Sequence, residues 1–107
     1  FTPLRDKGAL EELFARSHEA PVVLFKHSNS CPISAAAHRS LKQLGAEVSI
    51  VVVQESRDIS REVESRTGVR HESPQALVLR NGAVAWSASH FDITADAVKR
   101  AVENSEG

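Results

Sequence analysis

The feature that most constrains this sequence is one cysteine placed where a predicted strand ends and a predicted helix begins. The apolar run at residues 22–25 predicts a buried strand, and the polar residues that follow it predict a loop. Pro32, directly after Cys31, suits the first position of a helix, because the N–H that it lacks has no partner there. We therefore expect Cys31 at the helix N-cap. The apolar residues that recur at helical spacing beyond it are Ile33, Ala37, Leu41 and Leu44.

The predicted position of Cys31 favours the reactive form of its side chain. Free N–H groups and the positive end of the helix dipole point at the sulfur, and they stabilise a thiolate relative to a thiol. A thiolate is the species that attacks disulfides. A lone cysteine is ordinarily a small buried hydrophobe, but a packing cysteine has no need of a helix N-terminus. The sequence therefore predicts a nucleophilic Cys31.

Ser34 determines which reaction this nucleophile completes. It stands where a Cys-x-x-Cys site has its second thiol, one helical turn further on. A hydroxyl cannot form a disulfide, and Cys31 is the only cysteine of the chain. A mixed disulfide at Cys31 therefore needs an outside thiol to resolve it. Two interpretations of Ser34 stay open: a hydrogen bond to the Cys31 thiolate from the same helical face, or a solvated helix serine.

The basic residues before and after the predicted loop are candidates for assisting Cys31. Lys26 and His27 end the predicted strand, where a cation would stabilise a thiolate at Cys31; the alternative is a pair of solvated charges. His38 lies about 10 Å along the helix from Cys31, which argues against a papain-like Cys–His pair. The five histidines show no ligand spacing, so no metal site is expected.

The remaining elements alternate between helix and strand. Asn81-Gly82 between two apolar runs is typical of a type I′ hairpin turn, so the last two strands are expected to be antiparallel. The β-branched run at 48–53 suits a parallel strand covered on both faces. The predicted elements are a helix up to residue 17, strand 22–26, helix 32–44, strand 48–53, helix 55–67, strands 76–79 and 83–86, and a helix capped by Thr94. This order predicts one α/β domain over residues 1–107, with a central mixed sheet, a parallel βαβ half, a C-terminal antiparallel hairpin and helices on both faces.

The charge composition and the lack of long apolar runs limit the classes of partner that we expect for this chain. The chain has 13 basic and 14 acidic residues and a formal net charge of -1. That balance gives no electrostatic reason to expect nucleic acid or an anionic membrane as partner. No apolar run approaches the ~20 residues of a membrane span, and no stretch of this sequence has the basic-then-apolar pattern of a leader, so neither is expected from it. A free thiol suits a reducing compartment, so a cytoplasmic location is expected.

Residues 26–34, Lys-His-Ser-Asn-Ser-Cys-Pro-Ile-Ser, resemble the active-site segment of the monothiol bacilliredoxin (YtxJ-like) family of the thioredoxin-fold superfamily. The resemblance extends through Ser73-Pro74-Gln75 and the Asn81-Gly82 turn. It implies a thioredoxin-like fold with a catalytic Cys31, supported by Pro32, Ile33 and Ser34 of the motif and by the neighbouring Lys26 and His27. It also implies a cis Pro74 against the cysteine, preceded by Ser73, whose backbone receives the incoming thiol or peptide.

The same resemblance implies a function, a monothiol disulfide oxidoreductase that removes bacillithiol from protein cysteines. The expected partners are S-thiolated client proteins, and bacillithiol or another small thiol is the co-substrate; no bound cofactor is expected. Two alternatives stay open. One is a binding module that keeps the fold without catalysis. The other is a cluster carrier similar to monothiol glutaredoxins, against which Pro32 argues, because those proteins have Cys-Gly-Phe-Ser here.

Overall fold

The structure, a computed structural model, describes residues 1–106 and consists of a mixed sheet between two pairs of helices. Within those residues, no helix combines the length and the apolar character that crossing a membrane requires. The strands are β1 (Thr2–Pro3), β2 (Val22–His27), β3 (Val48–Val52), β4 (Gln75–Arg80) and β5 (Ala83–Ser89), and the helices are α1 (Lys7–Arg16), α2 (Pro32–Leu41), α3 (Arg57–Thr67) and α4 (Ala95–Asn104). Short 3-10 turns follow α2 at Lys42–Leu44 and β5 at His90–Asp92.

The strand order β1-β3-β2-β4-β5 confirms the predicted α/β architecture. Strands β1, β3 and β2 run parallel, and β4 and β5 are antiparallel to their neighbours. Strands β2 and β3 are joined through α2, which makes the expected βαβ unit. The β4–β5 turn has Asn81 at φ 56° and Gly82 at φ 76°, as a type I′ turn requires.

Side chains from the two faces of the sheet build two separate apolar cores. Because successive residues of a strand point to opposite faces, β2 supplies Phe25 to one core and Leu24 to the other. Helices α2 and α4 cover the face with Phe25, and α1 and α3 cover the face with Leu24. The fully buried members include Leu10 and Leu13 of α1 and Ile59 and Val63 of α3 in one core. Leu41 of α2 and Val98 of α4 are fully buried in the other core.

Local signals set most element boundaries as expected. The Asp6 carboxylate accepts the Ala9 N–H at 2.8 Å and begins α1, and the Thr94 hydroxyl accepts the Ala97 N–H at 3.1 Å and begins α4. Gly68 ends α3 in the left-handed conformation, at φ 72°. These caps place the helix starts and stops within one or two residues of their predicted positions.

Three features differ from the sequence prediction. Strand β1 was not expected, since two residues that include a proline carry no periodic pattern. The helix after Cys31 was expected to run to Leu44, but its last turn tightens to a 3-10 turn before Gly45. Strand β5 extends to Ser89, because backbone pairing with β4 continues where the side chains are too small and polar to signal a strand.

Candidate active site

Cys31 occupies the N-cap of α2, as predicted. Its backbone is extended, with φ −111° and ψ 120°, and Pro32 follows as the first helical residue. Its carbonyl accepts the Ala35 N–H at 3.0 Å, which closes the first turn. The thiol is free, makes no capping hydrogen bond and is partly exposed. The fold therefore places a partly exposed, free cysteine at the N-terminal end of α2.

Ser34 is fully buried and binds the loop before Cys31. Its Oγ accepts the Ser28 N–H at 2.9 Å and lies 2.7 Å from Nδ1 of His27. The solvated interpretation of this serine is therefore wrong. Among residues 1–106, no hydrogen bond joins Ser34 Oγ to Cys31. The hydroxyl holds the polypeptide between the end of β2 and the start of α2.

His27 is more readily neutral than a free histidine. Burial lowers its pKa, and the nearby His38, with ring centroids 5.0 Å apart, lowers it further. A neutral ring leaves Nδ1 able to accept the Ser34 O–H while the Ser34 oxygen accepts from Ser28. At neutral pH this residue therefore acts through a hydrogen bond, and not through a positive charge, on residues 28–31 between β2 and α2, which we call the Cys31 loop.

Lys26 lies on the opposite face of the sheet from His27. It is fully buried, and its Nζ lies 3.1 Å from Nδ1 of His71, which precedes β4. Burial lowers the pKa of Lys26 from 10.5 to about 8, although Glu64 opposes this shift. The interpretation of Lys26 as a solvated strand-end charge is wrong. The sequence could have indicated this burial, because a lysine inside a strand that is covered on both faces has no route to water.

Gln54, which sequence reasoning missed, ties the Cys31 loop to the loop after β3. Its Nε2 donates to Ser28 Oγ at 2.7 Å and to Ser30 Oγ at 3.1 Å, and its Oε1 accepts the Asn29 N–H at 3.2 Å. No pattern in the sequence points to a glutamine in a loop 23 residues beyond the cysteine. The carboxamide fixes three consecutive residues of the loop.

The Ser73–Pro74 peptide bond is cis, as predicted. Pro74 is buried at the start of β4, and its carbonyl accepts the His90 N–H at 3.1 Å. Ser73 is partly buried, and its Oγ lacks a hydrogen-bond partner among the described residues. Since β4 is antiparallel to β2, the start of β4 lies beside the end of β2, so Pro74 belongs to the same end of the sheet as the Cys31 loop.

The part of the chain that the structure describes contains no group of three or more His, Cys, Asp or Glu side chains arranged to hold a metal ion. What gathers at this end of the sheet is one free thiol, a hydrogen-bonded loop beneath it and a cis proline. The arrangement suits attack by the cysteine on a sulfur brought from solvent, since the thiol is accessible and no second sulfur competes for it.

Comparisons with known proteins agree with this chemistry. The family model described as monothiol bacilliredoxin BrxC matches residues 2–98. A solved structure described as a candidate oxidoreductase with a thioredoxin fold has 32% sequence identity and a TM-score of 0.82, over 94% of this chain and 91% of that chain.

More distant structures share the fold alone. Thioredoxin from Fasciola hepatica has 12% identity and a TM-score of 0.77, over 99% of this chain and 100% of that chain. A thioredoxin mutant from Halobacterium salinarum has 15% identity and a TM-score of 0.76, over 99% and 90%. With the family match over most of its length and a free N-cap cysteine in its site, the chain belongs to the monothiol bacilliredoxin family of thiol–disulfide oxidoreductases.

Proposed function

We propose that this protein removes low-molecular-weight thiol adducts, bacillithiol being the physiological one, from cysteines of client proteins through Cys31. The observation that carries this proposal is a partly exposed free thiol at the N-terminus of α2 in a chain with no other sulfur. We assign the activity to the cytoplasm, where a single unpaired thiol stays reduced.

The proposed first step is a thiol–disulfide exchange at the adduct. The Cys31 thiolate attacks the adduct sulfur of the client's mixed disulfide, a new disulfide forms between Cys31 and the adduct, and the client thiolate leaves and takes a proton from water. The number of disulfides stays constant, so this step needs no oxidant or reductant. The client leaves reduced, and the adduct stays on Cys31.

The proposed second step regenerates the enzyme from outside the chain. A second low-molecular-weight thiolate, or a thiol of another protein, attacks the adduct sulfur and releases Cys31 as a thiolate. Ser34 takes no part in this exchange, since its hydroxyl is buried and bonded to His27 and Ser28. In this proposal Pro32 and Ile33 shape the helix start beside the sulfur, and Ser73 with the cis Pro74 positions the incoming disulfide.

The test uses a client peptide carrying one bacillithiol mixed disulfide, the purified protein and intact-mass detection. We expect one adduct to appear on the wild-type protein as free peptide is released, and added thiol to remove the adduct. Cys31→Ala should abolish release, whereas Ser34→Ala should slow it modestly at most, because Ser34 only anchors the loop before Cys31. Ser65→Ala, at an exposed position of α3, is the control and should match the wild type.

Release by Cys31→Ala at the wild-type rate would contradict the enzymatic proposal, as would the lack of any adduct on Cys31. Either result would leave a thioredoxin-fold binding module as the function. Circular dichroism of the variants distinguishes a lost nucleophile from a lost fold.

A further inference from the structure

A cavity of about 250 Å³ opens beside α3, at the same end of the sheet as the Cys31 loop. Two contacts connect this region to the end of β2 and to the loop before Cys31. The Val53 N–H donates to the His27 carbonyl at 2.9 Å, and the next residue, Gln54, binds the loop through its side chain. The lining residues are Val53, Arg57, Ser60, Arg61, Glu64 and His71.

The cavity wall carries more positive than negative charge. Arg57 and Arg61 are four residues apart on α3 and therefore lie on one face of the helix. Among residues 1–106, neither guanidinium forms a salt bridge. The one acidic lining residue, Glu64, is engaged through Oε2, which accepts the His71 N–H at 2.6 Å. Two guanidinium groups are thus left to face an incoming anion near the positive end of the helix dipole.

A third cation lies beneath this wall. Lys26 Nζ is 3.1 Å from Nδ1 of His71, and Ser60 Oγ is also 3.1 Å from that nitrogen. A protonated lysine only donates hydrogen bonds, so Nδ1 accepts and the ring N–H sits on Nε2. The buried ammonium of Lys26 therefore fixes the tautomer of His71 in which Nε2 carries the proton and can donate a hydrogen bond. The pKa of Lys26, lowered to about 8, indicates that its present neighbours do not compensate for its burial.

We propose that this cavity, at the end of the sheet that carries Cys31, binds a carboxylate group of the low-molecular-weight thiol adduct, so that the enzyme recognises the charge of the adduct while Cys31 attacks its sulfur. The inference rests on the proposed function. A guanidinium matches a carboxylate with two parallel hydrogen bonds. The volume of the cavity suits a small group, which favours the adduct over a folded client surface as the source of the carboxylate.

Two adducts that differ only in charge test the proposal. One client peptide is prepared as a mixed disulfide with 3-mercaptopropionate and the other with the isosteric 3-mercaptopropionamide. We expect wild-type kcat/KM to be about tenfold higher for the carboxylate. Arg57→Gln and Arg61→Gln should each reduce this preference by severalfold, and high salt should weaken it. Arg100→Gln, which removes one exposed charge from α4, should retain it.

A second readout does not depend on turnover. Succinate is titrated into the Cys31→Ser protein and followed by NMR. The amide signals of Arg57, Arg61 and His71 should shift, and Arg61→Gln should weaken binding severalfold. Equal affinity in Arg61→Gln and Arg100→Gln would overturn the proposed cavity, whether or not the enzyme turns over.

The outcomes separate the two proposals. Equal kcat/KM for both adducts in the wild type overturns the carboxylate site and leaves the proposed function standing. A preference that follows an acidic residue placed in the client peptide, and not the adduct, assigns the carboxylate to the client and overturns the inference. Release of neither adduct contradicts the proposed function, and the succinate titration then decides the cavity by itself.

Discussion

The Oγ atom of Ser34 lies 2.7 Å from Nδ1 of His27, in the position where a dithiol site has its second sulfur. The same oxygen accepts the Ser28 N–H at 2.9 Å. Where a dithiol site has its resolving thiol, this chain therefore has an anchor for the loop that precedes Cys31. This exchange of roles explains how a helix that begins like that of a dithiol enzyme supports a single-thiol reaction.

Removing the Ser34 hydroxyl should cost stability. In Ser34→Ala the Ser28 N–H and His27 Nδ1 both lose their partner in a partly buried setting, so the free energy of unfolding should fall by about 1–3 kcal/mol. Urea denaturation measures this change. Ser65→Ala, at an exposed helical position, should change it by less than about 0.5 kcal/mol. Equal stabilities of the two variants would show that the anchor contributes nothing.

Restoring a thiol at this position should change the reaction type. Ser34→Cys places a second sulfur one helical turn from Cys31, so the adduct should leave without any added thiol. Mass spectrometry should then detect one free adduct thiol per chain and a protein that has lost two hydrogens. Ser65→Cys, at the exposed position of α3, is the matched control and should retain the adduct on Cys31. Retention in both variants would contradict the predicted geometry.

Gln54 should control the mobility of the Cys31 loop. Gln54→Ala removes three hydrogen bonds to Ser28, Asn29 and Ser30. Each is worth about 1 kcal/mol, so the Asn29 amide should exchange its hydrogen at least about fivefold faster. Hydrogen exchange followed by NMR measures this rate. Glu55→Ala, at the next exposed residue, is the control, and an unchanged Asn29 rate in Gln54→Ala would show that the carboxamide does not hold the loop.

Lys26 should make stability depend on alkaline pH. Its pKa is about 8 in the folded protein and 10.5 ordinarily, so between these values the unfolded chain binds more protons and wild-type stability rises with pH. This shift corresponds to about 3 kcal/mol. Lys26→Met removes a cation that is costly to bury, and should be more stable than the wild type at pH 7 by about 1–3 kcal/mol.

The stability gap between Lys26→Met and the wild type should narrow as the pH rises from 8 to 10.5, when the wild-type lysine loses its proton. Urea denaturation at pH 7 and pH 10 measures both gaps. Lys99→Met, at an exposed position of α4, provides the control and should differ from the wild type equally at both values. A gap for Lys26→Met that stays constant with pH would contradict the buried-cation interpretation.

The sequence predicted the parts of the molecule that local chemistry determines. The N-cap position of Cys31 follows from Pro32 and the helical period behind it, and the hairpin follows from Asn81-Gly82. Contacts between distant segments were not predictable in this way. The Lys26–His71 pair joins residues 45 positions apart, and its existence depends on how β2 and β4 pair and on where α3 covers the sheet. The Gln54 bonds depend likewise on the packing of two loops.

Strand β1 has a consequence for how copies of this protein meet. An uncovered strand edge is a template for pairing with another chain, and that pairing leads to aggregation. Here the outer side of β3 pairs with Thr2–Pro3, and the Leu4 N–H donates to the Ile50 carbonyl at 2.8 Å. Proline has no N–H to offer a further strand. Two residues therefore protect the parallel edge of the sheet against growth by strand addition.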